Sequence, residues 1–122
     1  MNIIDTKINQ DTKNRINDIT NSLKSIDPNK IILFGSVAKQ NESNDSDLDI
    51  MVVTNSDFFP SNYSEKMDVF LTVAKTIREH RKKFPVDLIV YTKPMYKEFM
   101  NSNSLMARVI LNHGIVLYEK NN

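Results

Sequence analysis

Between Asp11 and Lys24, Ile16, Ile19 and Leu23 recur at helical spacing, with Ile26 just beyond and polar residues filling the positions between. That pattern predicts an amphipathic helix with one face on a core. The stretch "SIDPN" ends it, because Pro28 cannot continue the hydrogen-bond ladder and biases Asp27 away from helix. "KIILF" (residues 30–34) is short, β-branched and apolar, as a buried strand is. Gly35-Ser36 punctuates it, Val37 to about Gln40 suits a short helical turn, and Asn41 to Ser46 reads as a polar loop. "LDIMVVT" is a second strand and "NSDFFPSN" a loop. Ser64 to about Lys82 is the longest predicted helix, with Met67, Phe70, Leu71, Ala74 and Ile77 or Arg78 at the helical period. Its basic end, "REHRKK", complements the helix dipole. "VDLIVYT" after Pro85 is a third strand. Pro94 suits the first turn of a helix reaching about Met100. Ser104 caps a last helix, "LMARVILNH", which Gly114 stops, and "IVLYE" is a fourth strand.

The order α-β-(short α)-β-α-β-α-α-β predicts an α/β (α+β) chain, a layer of sheet covered by helices. Its 122 residues suit a single domain, 1–122, and no internal repeat or linker interrupts them. The chain has no cysteine, which excludes disulfides and thiolate metal sites and fits a reducing compartment. A formal net charge of +1 gives no support for a broad nucleic-acid or membrane surface. The polar N-terminus lacks the apolar stretch of a signal peptide, and no apolar run is long enough to span a bilayer. The expectation is a cytoplasmic protein.

Against that ordinary background, three aspartates stand within five residues, Asp45, Asp47 and Asp49, between two apolar runs. Strand alternation puts Asp47, Asp49, Met51 and Val53 on one face and Leu48, Ile50 and Val52 on the other, so the Asp47 and Asp49 Cα atoms are roughly 6.5 Å apart on one side. Like charges that close raise each other's pKa unless a cation lies between them. Two carboxylates on a rigid strand suit Mg²⁺, a hard ion that prefers oxygen ligands and substrate phosphates. In "FPVDLIVYT" a third carboxylate, Asp87, shares a face with Ile89 and Tyr91, opposite Val86, Leu88 and Val90. Buried unpaired it would be costly, and a metal on the neighbouring strand would pair it. Two metals about 3.5–4 Å apart, bridged by carboxylates, serve in-line phosphoryl or nucleotidyl transfer. Gly35 lets the backbone approach a ligand closely, a turn opening a helix presents N–H groups to an anion, and Ser36 adds a hydroxyl.

"GSVAKQNESNDSDLDIMVV" resembles the signature of the polymerase β-type nucleotidyltransferases: Gly-Ser, a spacer, then Ser-Asp-x-Asp entering an apolar strand. The closing "SLMARVILNHGIVLYEK" is similar to the end of the minimal nucleotidyltransferase branch. The resemblance implies a mixed β-sheet of about four to five strands flanked by helices. It implies that Gly35, Ser36, Lys39 and Ser46 contact the nucleotide and that Asp47, Asp49 and Asp87 form the catalytic set holding two Mg²⁺ ions. The reaction implied moves NMP, in the first place AMP from ATP, to a hydroxyl. Minimal members pair with a helical HEPN-type RNase toxin, so the resemblance also implies an antitoxin that modifies a tyrosine of its partner, with a homo- or hetero-oligomer in prospect. Where the family often has Ala-Arg-Gly, this chain has Ala38-Lys39-Gln40, which keeps a charge but loses the planar fork for phosphate. That departure supports an alternative, a weak or inactive nucleotidyltransferase fold that neutralises its partner by contact alone. Direct nucleic-acid binding fits poorly with the near-neutral charge.

Other residues carry weaker signals. Phe58, Phe59 and Tyr63 suit base stacking, partner docking or capping of the core. "REHRKK" reads as a solvated helix terminus before an RNA or acidic-partner contact. His80 and His113 lack metal-ligand spacing. Met95, Met100 and Met106 read as core filling before adaptable interface.

Overall fold

Asn9 opens the first helix, α1 (Gln10–Lys24), its side chain accepting the Thr12 amide at 2.8 Å. In this computed structural model, residues 8–35 and 47–120 are described. The expected helical turn at Val37–Gln40 and loop at Asn41–Ser46 lie outside them. Four strands follow the expected segments: β1 (Lys30–Phe34), β2 (Leu48–Val53), β3 (Val86–Tyr91) and β4 (Ile115–Glu119). Between β2 and β3 run α2 (Tyr63–Ala74), a 3₁₀ turn (Lys75–Ile77) and α3 (Arg78–Lys83). Between β3 and β4 run α4 (Lys93–Asn101) and α5 (Leu105–His113).

The sheet is mixed, in the order β3-β2-β1-β4. β1 is antiparallel to both of its neighbours, and β2 is parallel to β3, which is why a long helical crossover separates those two in sequence. β1 and β2 are buried on both faces, as their near-continuous apolar runs require. On one face Ile31, Leu33, Leu48, Ile50 and Val52 pack under α1 and α2. On the other, Ile32, Phe34, Met51 and Val53 pack under Ile110 of α5 and Tyr96 and Phe99 of α4. The alternation expected for β2 and β3 is the one observed: Val86, Leu88 and Val90 join the first face, Ile89 and Tyr91 the second.

The helix expected over Ser64–Lys82 is interrupted. Thr76 donates its hydroxyl to the Val73 carbonyl at 2.7 Å, and Ile77 leaves helical geometry at φ −118, ψ 18. A side-chain hydroxyl competing for a backbone acceptor is a standard cause of such a break. The buried stripe also differs from the expected one. Val69, Phe70, Val73, Ala74 and Ile77 face the sheet, while Leu71 is 52% exposed. Both stripes have helical period, and the one placing Val69, Val73 and Ile77 in line buries three β-branched side chains. Met106, expected in the core, is exposed. Gly114 does end α5, but with extended backbone, and close to the Ile110 carbonyl and Ile32 rather than in a left-handed turn.

Ile50 lies fully buried in a central strand. Replacing it with alanine is expected to cost about 2–5 kcal/mol, seen as a lower urea midpoint with an unchanged slope.

Candidate active site

β1 ends at Phe34, whose register partner across the antiparallel pair is Asp49 of β2. Asp49 in turn is the register partner of Asp87 across the parallel pair with β3. The three strands therefore deliver two carboxylates side by side at one end of the sheet. Both alternate with residues of the first core face, so they belong to the second face with Met51 and Ile89. Asp49 is partly buried; Asp47 and Asp87 are exposed.

Burial pushes the Asp49 carboxyl up to about 6 from its ordinary 3.8, assisted by a hydrogen bond with Asp87 and by the charges of Asp87 and Asp47. Desolvation and a neighbouring like charge both disfavour the ionised carboxylate. Every ion pair among the described residues lies elsewhere, on Asp11, Asp27, Asp57, Glu79 and Glu119. The donor set consists of hard carboxylate oxygens, partly desolvated at Asp49 and engaged by no ion pair among the described residues, which fits Mg²⁺ in chemistry. Among the described residues no three carboxylates or imidazoles converge into a ready-made metal cage. Asp49 and Asp87 form a pair, and Asp47 acts on Asp49 through its charge.

Gly35 follows Phe34 at φ +79, a left-handed conformation that glycine adopts without penalty. A Cβ added there would run into the Asp49 carboxylate, with Asp49 Cγ only 2.9 Å away. Sequence reasoning gave Gly35 to phosphate approach and did not anticipate this contact. The signal available was a glycine directly after a strand whose neighbour carries a carboxylate. Ser36, Lys39 and Ser46 lie outside the described residues. His80 has a structural partner, Ser22 Oγ, at 3.0 Å. Phe58, Phe59 and Tyr63 are exposed rather than capping the core. No helix among the described residues is long and apolar enough to cross a membrane.

The structure thus brings two neighbouring carboxylates at one end of a mixed sheet beside a left-handed glycine. The sequence matches the family described as "Polymerase beta, Nucleotidyltransferase" over residues 14–122, and the chain belongs to that family. Its mixed four-stranded sheet flanked by helices matches the nucleotidyltransferase fold. A protein of Sulfolobus solfataricus, provisionally called a nucleotidyltransferase, shares the fold at a TM-score of 0.53 and 20% identity, over 89% of this chain and 78% of its own. A toxin–antitoxin structure with AMP-PNP aligns at a TM-score of 0.48 and 20% identity, over 88% of this chain and 73% of that one. A mutant of the toxin–antitoxin pair MntA–HpeT aligns at 0.47 and 20%, over 85% and 72%. No protein of curated function matches by sequence.

Two outcomes follow from the geometry. Because the folded pKa of Asp49 lies above its ordinary value, ionising it weakens the fold: this group's contribution to stability is fully present below about pH 4 and is lost as pH rises through about 6. Asp49→Asn removes that cost. It is expected to stabilise the metal-free protein at pH 7.5 by about 1 kcal/mol, after allowance for solvent screening, and to have no such effect at pH 4. Urea titrations at the two pH values check this. Gly35→Ala is expected to destabilise by about 1–3 kcal/mol through strain and collision. In a double-mutant cycle Asp49→Ala should recover part of that loss, and strict additivity would show that the two residues do not collide.

Proposed function

We propose that this chain is a Mg²⁺-dependent nucleotidyltransferase that moves AMP from ATP to a hydroxyl. The acceptor in this reading is a tyrosine of a HEPN-type RNase toxin, so that the chain acts in the cytoplasm as the antitoxin. The observation that carries the transfer reading is the in-register pair Asp49–Asp87, unpaired with any cation among the described residues and partly desolvated at Asp49. Family membership supports the class of reaction. The toxin as acceptor rests on the resemblance of residues 104–120 to the minimal branch.

Asp47, Asp49 and Asp87 would hold two Mg²⁺ ions, which when bound neutralise charge developing on the phosphates. Gly35 is assigned to phosphate approach, and its missing side chain leaves room for the Asp49 carboxylate. Ser36, Lys39 and Ser46 are assigned to the same nucleotide. Asp87, exposed at the strand start, takes the proton of the acceptor hydroxyl as its oxygen attacks the α-phosphorus. The bond from that phosphorus to the bridging oxygen breaks, and pyrophosphate leaves with the electron pair. The carboxylates therefore bind and orient, while the barrier falls mainly through charge neutralisation and alignment.

A second reading is contact-only neutralisation, and Lys39-Gln40 in place of Arg-Gly is what favours it. The test is label transfer from α-phosphate-labelled ATP, with Mg²⁺, to a co-purified or supplied HEPN-type partner. Label on a tyrosine of the partner, reduced about 10²–10³-fold in Asp47→Asn and Asp49→Asn, is the expected outcome. Absence of label with any nucleotide, together with a stable complex that still neutralises the partner, would leave the contact-only reading.

A further inference from the structure

The helical crossover between β2 and β3 carries a groove of about 480 Å³ that the transfer chemistry does not use. Its floor is Phe70, Leu71 and Ala74. Its rim is Lys75, Arg78, Arg81 and Lys82. Leu71 is 52% exposed, whereas Phe70 packs against the core beneath. Of the rim cations, Lys82 engages Glu79 at 3.3 Å, and no ion pair among the described residues engages Lys75, Arg78 or Arg81.

Dipole complementation accounts for Arg81, Lys82 and Lys83 in the last turn of α3. It does not account for Arg78, which opens α3 at the end that favours anions, nor for an exposed leucine beside it. The break in the crossover has a consequence here. The turn Lys75–Ile77 and the start of α3 put Lys75 and Arg78 on the rim of one groove. The row is also anchored. Ile77 is fully buried, and His80 ties α3 to Ser22 of α1.

We propose that this groove is a docking site for an acidic amphipathic helix of a partner protein. One or two apolar side chains of that helix would enter over Leu71 and Ala74. Carboxylates three or four residues apart on it would meet Lys75, Arg78 and Arg81. Single-stranded nucleic acid would satisfy the cations but wants an exposed aromatic face for base stacking. The aromatic residue of the floor, Phe70, is half-buried against the core, and the exposed one, Leu71, is aliphatic. Because α2 covers the sheet face of Ile50 and Val52, the groove lies across the sheet from Asp49 and Asp87, and a bound helix leaves the carboxylates open. The proposal does not depend on the transfer reaction.

The test uses the whole chain and a displayed library of helical peptides of about five turns, with two leucines one turn apart and Glu, Gln, Lys or Ser at the flanking positions. Selection is expected to enrich glutamate at the flanks and to yield binders with Kd values of order micromolar. Affinity should fall at least ~10-fold for Arg78→Glu with Arg81→Glu, and also for Leu71→Ser. All three positions are exposed, and circular dichroism confirms that each variant is folded. Amide shifts on binding should centre on Leu71 and Ala74. Recovery of no binder, enrichment of lysine or serine, or unchanged affinity in the charge-reversed variant would overturn the proposal. Tighter, steeply salt-dependent binding of a single-stranded RNA oligonucleotide at the groove would overturn it in favour of a nucleic-acid site.

Discussion

Asp49 faces Asp87 because β2 and β3 run parallel and in register, and much of the structure is arranged around tolerating that pair. Two carboxylates in contact repel, and partial burial of one adds a desolvation cost. Burial and the neighbouring charge of Asp87 raise the pKa of Asp49 accordingly. What holds the pair in place is the apolar sheet on either side: Ile50, Met51, Val52 and Val53 follow Asp49 directly and are fully buried. Gly35 completes the arrangement by offering no side chain where the Asp49 carboxylate lies. In the proposed transfer reaction a divalent cation held between the two carboxylates would relieve that repulsion.

The two faces of the sheet divide the work. The first face, under α1 and α2, holds the larger cluster of buried aliphatic side chains. The second face, under α4 and α5, is smaller and shares its side of β2 and β3 with Asp49 and Asp87. A carboxylate is more easily carried where the core is thinner and the strand starts meet solvent. The same division leaves the outer surface of α2 and α3 free of any duty to the carboxylates. The basic row there is fixed by burial of Ile77 below it and by the His80–Ser22 contact beside it.

Strands were the most legible part of the chain. Alternation in "LDIMVV" and "VDLIVY" placed each residue on the correct face, because a period of two leaves no intermediate choice once one face is apolar. The helical crossover was less legible. "MDVFLTVAKTI" admits two stripes of helical period, and burial against the sheet chose the one with Val69 and Val73, turning Leu71 outward. The interruption at Lys75–Ile77 coincides with a Thr76 hydroxyl bonded to the Val73 carbonyl, a competition that composition does not decide.

The sequence by itself determined the order of elements, the faces of the strands and the identity of the acidic residues, since these follow from local periodicity and from charge in an apolar context. It also carried the family signature from Gly35 to Asp49. Which carboxylates meet was decided by tertiary structure alone. Asp49 and Asp87 are 38 residues apart and become neighbours only through the parallel register of β2 and β3. The contact of Gly35 with Asp49 likewise arises from strand pairing, and the basic row beside Leu71 from the rotation of a helix on its sheet. Each of these depends on which surfaces pack together, and packing joins residues that no local pattern relates.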